Sequence, residues 1–299
     1  MNGASSYSGL VDNAFIFILG ASVLMLIGVT VAMITFVVKY RRSKNPNPAQ
    51  IEGNVTLETL WTVLPTILVL VMFYYGWAGF KVMRDIPDDA IPVTVRGQMW
   101  SWVFEYEDGR QTTELIVPTG RNIKLNLESV DVIHSFFVPA FRLKEDCVPG
   151  RHNKAWFQAT RDGEYNIFCA EYCGERHSAM LSLVKAIPAA EWDEWMGIEA
   201  GPPAGSQLLA VKGCTACHSL DGSPLIGPSF KGIYGHNATV LTDGVEREVL
   251  VDDAYILKSM LEPNADIVKG YKENLMPAQG ALTTEEERQA IIEVIKELK

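Results

Sequence analysis

Along its first 84 residues the chain shows two long uncharged stretches. Phe15 to Val38 is a run of 24 residues without Asp, Glu, Lys or Arg, and Leu60 to Phe80 is a second run of 21. A helix rises about 1.5 Å per residue, so each run can cross a hydrocarbon core of roughly 30 Å. Soluble core helices rarely run this far without a charge, so two membrane-spanning helices are predicted rather than two buried ones. The loop between the runs carries Lys39, Arg41, Arg42 and Lys44, whereas the tail before Phe15 carries only Asp12. Basic loops favour the cytoplasmic side. The hairpin is therefore expected in the cell membrane, with its two ends and everything after residue 84 outside the cytoplasm. The first run lacks a basic leading segment and is too long for the apolar part of a cleaved signal peptide.

The pattern then changes from runs to alternation. Ile91-Pro-Val93-Thr-Val95, Trp100-Ser-Trp102-Val-Phe104-Glu-Tyr106, Ile123-Lys-Leu125-Asn-Leu127 and Ala155-Trp-Phe157 read as short strands separated by Gly, Pro and Asp breaks. Such spacing predicts an antiparallel β-sandwich or barrel. Glu107-Asp108-Gly109-Arg110 reads as a hairpin turn. The strand pattern ends near Lys185 and gives way to a short helix around Ala190 to Met196. Gly197 to Gln207 (GIEAGPPAGSQ) is a compositional break and the best domain boundary.

Beyond it the chain is helical in pattern at both ends, with one segment at Ala254 to Leu261. The last helix, about Thr284 to Leu298, opens on Glu285, Glu286 and Glu287, which suits the helix dipole, and Thr283 or Thr284 can cap it. The predicted organisation is a hairpin at 1–84, a β-domain at 85–196, a linker at 197–206 and an all-α domain at 207–299.

Composition agrees with this division. A chain of 299 residues has room for two domains or more. Its 48% hydrophobic content and mean hydropathy of +0.08 are high for a wholly soluble protein, and the hairpin accounts for the excess. The net charge of −10 and the absence of a basic stripe argue against a nucleic-acid partner. From Ser206 onward there are 14 acidic and 9 basic residues. That acidic surface either steers a basic partner or simply keeps the domain soluble.

Two motifs carry the chemistry. The first is Cys169-Ala-Glu171-Tyr-Cys173-Gly-Glu-Arg-His177-Ser-Ala-Met180, which packs two thiols, an imidazole and a thioether into twelve residues. Thiolate, imidazole and a weak thioether are the ligands of copper electron-transfer centres. A mononuclear site needs one Cys; two point to a pair of coppers bridged by both sulfurs, each needing its own His. His177 supplies one. Among five histidines the best second candidate is His134, in Asp131-Val-Ile-His134-Ser, 35 residues upstream. His152 follows Arg151 in a polar stretch and reads as surface. A structural zinc prefers Cys-x-x-Cys pairs and leaves Met180 unexplained. A Cys169–Cys173 disulfide is the other reading open outside the cytoplasm. Cys147 reads as a small buried side chain.

The second motif is Cys214-Thr-Ala-Cys217-His218, the attachment signature of a c-type haem. Cys214 and Cys217 are the expected thioether links and His218 the proximal ligand. Met276, in Asn274-Leu275-Met276-Pro277, is the expected distal ligand; Met260 lies in a helical pattern and reads as core, and His236 is a weaker rival. A Met ligand raises the potential of the haem. Two redox centres on one polypeptide imply that electrons pass between them.

With these residues in view, the chain from about Phe15 to Met196 resembles subunit II of haem-copper cytochrome c oxidases. The resemblance rests on Leu57-Glu58-Thr-Leu-Trp61-Thr-Val-Leu-Pro65, the aromatic cluster at Trp100, Asp131-Val-Ile-His134-Ser, Leu143-Lys-Glu-Asp146-Cys-Val-Pro149-Gly150-Arg151 and the full Cys-His-Met loop. From about Gly205 on, the chain resembles a class I cytochrome c, with Gly227-Pro228 as the turn whose Pro228 carbonyl orients His218.

The joint resemblance, to a caa-type subunit II, implies a cupredoxin-like sandwich and a dinuclear CuA centre. Cys169 and Cys173 bridge the coppers, His134 and His177 are terminal ligands, Met180 is axial and Glu171 gives its backbone carbonyl. The Glu171 carboxylate would reach a magnesium ion at the subunit I interface, near Asp146. Trp100 is the implied electron-entry residue and Glu58 the implied mouth of a proton path. The cluster Gln98-Met99-Trp100-Ser101-Trp102 is less aromatic than is usual in the family. The implied partners are oxidase subunits I and III and a donor such as a c-type cytochrome, with oxygen reduced in subunit I. The alternatives are an electron-input subunit of a CuA-type nitric oxide reductase and a membrane-anchored electron shuttle. Quinol oxidases lack the copper ligands.

Overall fold

The computed structural model describes residues 3–50, 52–197, 203 and 205–298. Both uncharged runs lie inside long helices, α1 (Ser8–Lys39) and α2 (Val55–Arg84), which pack side by side with their apolar side chains outward. Outward apolar surface on two helices of this length is what a lipid environment requires. Asn54 caps α2 by accepting the Leu57 N–H at 3.1 Å, and Glu58 returns the bond by accepting the Asn54 N–H at 3.3 Å. Pro65 sits one-third of the way along α2.

The segment after α2 folds into ten strands. The first five are β1 (Ile91–Gln98), β2 (Ser101–Tyr106), β3 (Gln111–Thr112), β4 (Leu115–Pro118) and β5 (Asn122–Ser129). Then follow β6 (His134–Val138), β7 (Leu143–Cys147), β8 (Asn153–Gln158), β9 (Gly163–Cys169) and β10 (Leu181–Ile187). They form two five-stranded sheets, in the orders β3-β2-β1-β5-β8 and β4-β10-β9-β6-β7. Alternation places Val93, Val95, Leu125 and Leu127 of the first sheet against Phe136, Val138, Ile167 and Val184 of the second. Trp102 and Phe104 meet Phe136 edge-on across the layers, with ring centres 5.4 and 6.3 Å apart. This is a cupredoxin-like β-sandwich.

The sheets are not wholly antiparallel, which corrects the expectation from strand spacing. β1 runs parallel to β5, and β4 runs parallel to β10. The chain leaves the first sheet after β3, enters the second at β4, and returns as β5 beside β1 in the same direction. Alternation marks which faces are buried but not the direction of a non-adjacent neighbour. The predicted turn at residues 107–110 is present: the Arg110 carbonyl accepts the Tyr106 N–H, and Gly109 takes φ +79°.

The sandwich is tied to one end of the hairpin. Ala4 N–H donates to the Ala140 carbonyl at 2.7 Å, the Tyr7 hydroxyl to the Trp156 carbonyl at 2.9 Å, and Arg142 pairs with Asp12 at 2.6 Å. Trp156 Nε1 donates to the Val82 carbonyl near the end of α2. The start of α1 and the end of α2 therefore lie together at the sandwich, and the basic loop lies at the far end.

α3 (Ala189–Gly197) closes the sandwich with Trp192 and Trp195 against Tyr106. The C-terminal region resumes at α4 (Gly205–Val211); of the expected linker, 198–202 and 204 fall outside the described residues. This region is not all-α as expected. Besides α4 and two later helices, α5 (Asp253–Leu261) and α6 (Glu285–Glu297), it carries one antiparallel sheet: β11 (Asn237–Thr242) and β12 (Val245–Leu250) come before α5, and β13 (Ile267–Val268) lies between α5 and α6. The hairpin turn is Asp243-Gly244, with φ of +50° and +80°. Positive φ at both central residues matches the right-handed twist of the flanking strands, and Asp-Gly supplies it at little cost. Thr284 caps α6 and forms a reciprocal capping box with Glu287. Leu208, Leu209, Ile256, Met260, Ile291 and Ile295 from the three helices share one core.

Candidate metal centre and the neighbouring Cys-His cavity

The loop of residues 170–180 leaves β9 at Cys169 and re-enters the sheet at β10. Cys169 N–H donates to the Met180 carbonyl at 3.3 Å, which closes the loop. β9 pairs with β6 so that Cys169 lies opposite Phe136, and the Ala170 N–H donates to Ser135. His134, at the start of β6, is thereby held against the loop. Its Nδ1 is 3.9 Å from Cys169 Sγ, and the two sulfurs are 3.8 Å apart. His177 Nδ1 is 3.5 Å and Met180 Sδ 3.8 Å from Cys173 Sγ. Cys169 Sγ also meets the Glu171 carbonyl at 3.2 Å.

All six groups singled out in the sequence thus converge. His134 and Met180 are 0% exposed. Two thiols, two imidazole nitrogens, a thioether and one carbonyl form a soft donor set that suits copper.

The electrostatics point the same way. Burial alone disfavours a charged His134, but hydrogen bonds to Asp131 and Cys169 outweigh it and lift the imidazole to about 8. Cys169 moves down despite its burial, because His134 and nearby backbone groups favour its thiolate. Cys173 moves up, through burial and the adjacent Cys169 charge. Two like charges this close cannot both ionise without a cation between them. Cys147, across the strand pair from His134, is fully buried and its thiol is pushed up to about 12 by burial, which favours the protonated form.

Sequence reasoning passed over Asp131 as a functional group. It accepts from His134 Nε2 at 2.8 Å, from Met99 N–H at 2.6 Å and from Val132 N–H at 2.7 Å. This carboxylate occupies Nε2 and so leaves Nδ1 facing the sulfurs. The i,i+3 spacing of an acid and a His at a strand entry was the only signal available. Trp100 is 5% exposed, and its Nε1 donates to the Cys173 carbonyl at 3.1 Å. Gly174, at φ +116°, lets the ring approach; a Cβ there would stand 3.1 Å from Trp100 Cζ2.

Glu171 and Tyr172 are exposed on the outer side of the loop. Asp146 accepts from Ser135 Oγ at 2.7 Å and from Lys144 at 3.2 Å, contacts that hold its carboxyl below the usual range. Ser135 thus joins Asp146 to the loop, since its carbonyl also takes the Ala170 N–H. Glu58 lies at the opposite end of the molecule, in the first turn of α2. His152 is exposed and faces Glu128, as a surface residue does.

The second motif lies at the end of α4. His218 Nδ1 is 2.7 Å from the Pro228 carbonyl, and Phe230 stacks on the imidazole with ring centres 4.5 Å apart. Burial keeps His218 neutral, against the opposing pull of Pro228. A neutral ring that donates from Nδ1 presents Nε2 as a lone pair. Gly227 is required by space: a Cβ there would lie 2.7 Å from His218 Cε1. Cys214, Cys217, His218, Met260 and Met276 line one cavity of about 1110 Å³, mouth included. The donors and the space fit a haem held by two thioethers. Met260 also belongs to the helical core, whereas His236 bonds the Tyr234 carbonyl and does not line the cavity. Phe230 and Gln279, both on the cavity wall, were not foreseen.

The profile "Cytochrome C oxidase subunit II, transmembrane domain" matches residues 2–77, and "Cytochrome C oxidase subunit II, periplasmic domain" matches 110–187. Cytochrome c oxidase subunit 2 of Alkalihalophilus pseudofirmus is 30% identical, over 94% of this chain and 86% of that relative. The chain belongs to the cytochrome c oxidase subunit II family. The subunit of the same name from Bacillus sp. PS3 is 30% identical over 87% of this chain and 80% of that one. The Synechocystis subunit is 28% identical over 71% and 79%. Among solved structures, the periplasmic domain of subunit II of cytochrome oxidase of Bradyrhizobium japonicum is 27% identical, covers 38% of this chain and 96% of that one, and has a TM-score of 0.37.

As a subunit II, the chain is a component of a membrane-bound oxidoreductase complex with partner subunits. Two spans and a CuA copper centre are properties of its family.

Proposed function

We propose that this subunit II is the electron-input subunit of a caa-type haem-copper oxidase, whose subunit I reduces oxygen. His134, Cys169, Cys173, His177, Met180 and the Glu171 carbonyl hold CuA. Residues 207–299 form a cytochrome c domain in which Cys214 and Cys217 would tether the haem and His218 and Met276 would hold its iron. When bound, the copper pair and the haem each take up and release single electrons. The basic loop faces the cytoplasm, and the two domains lie outside it.

The observation that carries this reading is the position of Cys217. Its side chain packs against the core of the sandwich, and the cluster it joins includes Trp100. Trp100 in turn donates to the carbonyl of Cys173, so one indole borders the Cys169–Met180 loop and belongs to the cluster that Cys217 packs against. Thr215 and Ala216, inside the Cys-x-x-Cys-His motif, share a second cavity with Trp100. Burial of both sites excludes water, which strengthens local electrostatics. Trp100 is the electron-entry residue on this reading. The A. pseudofirmus match supports the C-terminal assignment, because 94% coverage is reached only by aligning much of that region.

Glu171 and Asp146, joined through Ser135 on the outside of the copper loop, would hold a magnesium ion at the subunit I interface. Glu58, in the first turn of α2 at the far end of the hairpin, is the proposed proton-path mouth. Subunits I and III and a c-type cytochrome donor complete the assembly.

The test is purification of the assembled complex from its native membrane. Two coppers and one covalent haem c per chain, with oxygen consumption on reduction, are the expected result. A single zinc, or no covalent haem, overturns the corresponding assignment. Nitric oxide consumption without oxygen consumption would transfer the chain to the reductase class.

A further inference from the structure

Two buried donors near the copper loop lack acceptors among the described residues. Trp102 is 1% exposed, and its indole N–H is unpaired, unlike that of Trp100. Arg176 is half-buried, and its buried Nη1 is unpaired as well. Both residues line one cavity of about 630 Å³, mouth included, between β2, the copper loop and the Cys-x-x-Cys-His turn. Ser101, Thr113 and Thr215 add hydroxyls to its wall, and no Asp or Glu is among the described residues that line it. Glu175, the acid beside Arg176 in sequence, pairs with Lys272 at 3.0 Å instead.

A guanidinium offers five N–H donors and no acceptor, and an indole N–H only donates. The wall therefore holds one fixed positive charge and no carboxylate to balance it. Buried donors left unpaired are costly, and an unpaired charge more so. A water satisfies the hydrogen bonds but leaves the charge; a small anion satisfies both. We propose that this cavity binds a small monovalent anion, chloride or one of similar size, between Arg176 and the Trp102 indole N–H, with Thr215 as a further donor.

The cavity adjoins both motifs. Arg176 immediately precedes His177, and the Trp102 ring meets that of His134 at 6.1 Å between centres. Burial raises the Cys217 thiol to about 11, and the Arg176 charge opposes that rise, so its field reaches the second motif. Negative charge placed here favours the oxidised state of each centre, and by linkage the oxidised chain binds the anion more tightly. This coupling rests on the proposed cofactors; the anion site does not.

The test uses the assembled oxidase and its R176Q and R176K variants in gluconate buffers titrated with chloride. Chloride NMR line broadening reads binding, and the difference between parent and variant isolates this site from others in the complex. R176Q is expected to weaken the site about 10–100-fold, the loss of a charged hydrogen bond, while R176K, which keeps the charge, loses less. Bromide should compete with chloride in the parent. Equal chloride broadening in the parent and R176Q overturns the site and leaves its donors to water. Redox titration of the same samples reads the coupling: both midpoint potentials should fall when chloride replaces gluconate in the parent, and not in R176Q. Binding without that fall overturns the coupling. Copper and haem contents of each sample separate a failure of the anion site from a failure of the cofactor assignments.

Discussion

The Asp131 carboxylate stands 2.8 Å from His134 Nε2 and fixes which imidazole nitrogen faces Cys169 and Cys173. It is itself held by the Met99 and Val132 amides. Removing such a support typically weakens a metal site by about 10–100-fold. Asp131→Ala is therefore expected to lower copper affinity by that amount, measured by competition with a chelator, while the haem content stays unchanged. Unaltered affinity would show that His134 needs no orienting partner.

Met99, Met260 and Met276 line the Cys-His cavity, and the two on the C-terminal side are distinguishable. Met276→Leu is expected to abolish the spectrum of a Met-ligated low-spin haem. Met260→Leu, a near-isosteric change in the helical core, should leave that spectrum intact and cost less than about 1.5 kcal/mol of stability. Optical spectra and thermal melts of both variants decide the matter; the reverse pattern would make Met260 the ligand.

Two glycines stand close to the two histidines. A Cβ at Gly97 would lie 3.0 Å from His134 Cδ2, and one at Gly227 would lie 2.7 Å from His218 Cε1. Gly97→Ala is expected to lower copper occupancy and spare the haem. Gly227→Ala should lower covalent haem attachment and spare the copper. Metal analysis and haem staining of the purified variants read out both, and a crossed result would refute the two contacts.

Asp266 joins β13 to its surroundings by accepting from Arg247 at 2.8 Å and Lys258 at 2.7 Å. Burial raises its carboxyl, but Lys258, Thr242 and Arg247 outweigh that and hold it well below the usual carboxylate range. A depressed folded-state value gives stability that is complete above the unfolded value, about 3.9, and is lost as pH falls towards the folded one. Asp266→Asn should cost about 1–3 kcal/mol at neutral pH. The gap between parent and variant should close as the pH falls below about 4. Melting curves across that range check the sign; a gap that grows on acidification would contradict it.

Much of the site was legible because its ligands are local. Cys169, Cys173, His177 and Met180 fall within one loop, and Cys214, Cys217 and His218 within one turn, so spacing alone brings them near each other. Glycine at 109 and the Thr284 cap were equally readable, since a turn or a helix end is decided by a few adjacent residues. Asp131 was not, because an acid three residues before a His is common and only the fold of the β6 entry aims one at the other. The β11–β12 hairpin was missed although Asp243-Gly244 is a turn signal, because Val245 to Leu250 holds three consecutive charges, shows no alternation and stays largely exposed.

The sequence by itself determined the two apolar spans, the β-rich middle and the donor residues that both motifs bring together. Each depends on hydrophobic period, composition or short spacing, which are properties of neighbours along the chain. Tertiary structure alone decided that β1 and β5 run parallel, that Asp131 turns the His134 ring so that Nδ1 faces Cys169, and that adjacent Met99 and Trp100 face different sites. Those outcomes depend on sheet order and on how the C-terminal region docks. Both are set by packing between surfaces far apart in sequence, which no local pattern encodes.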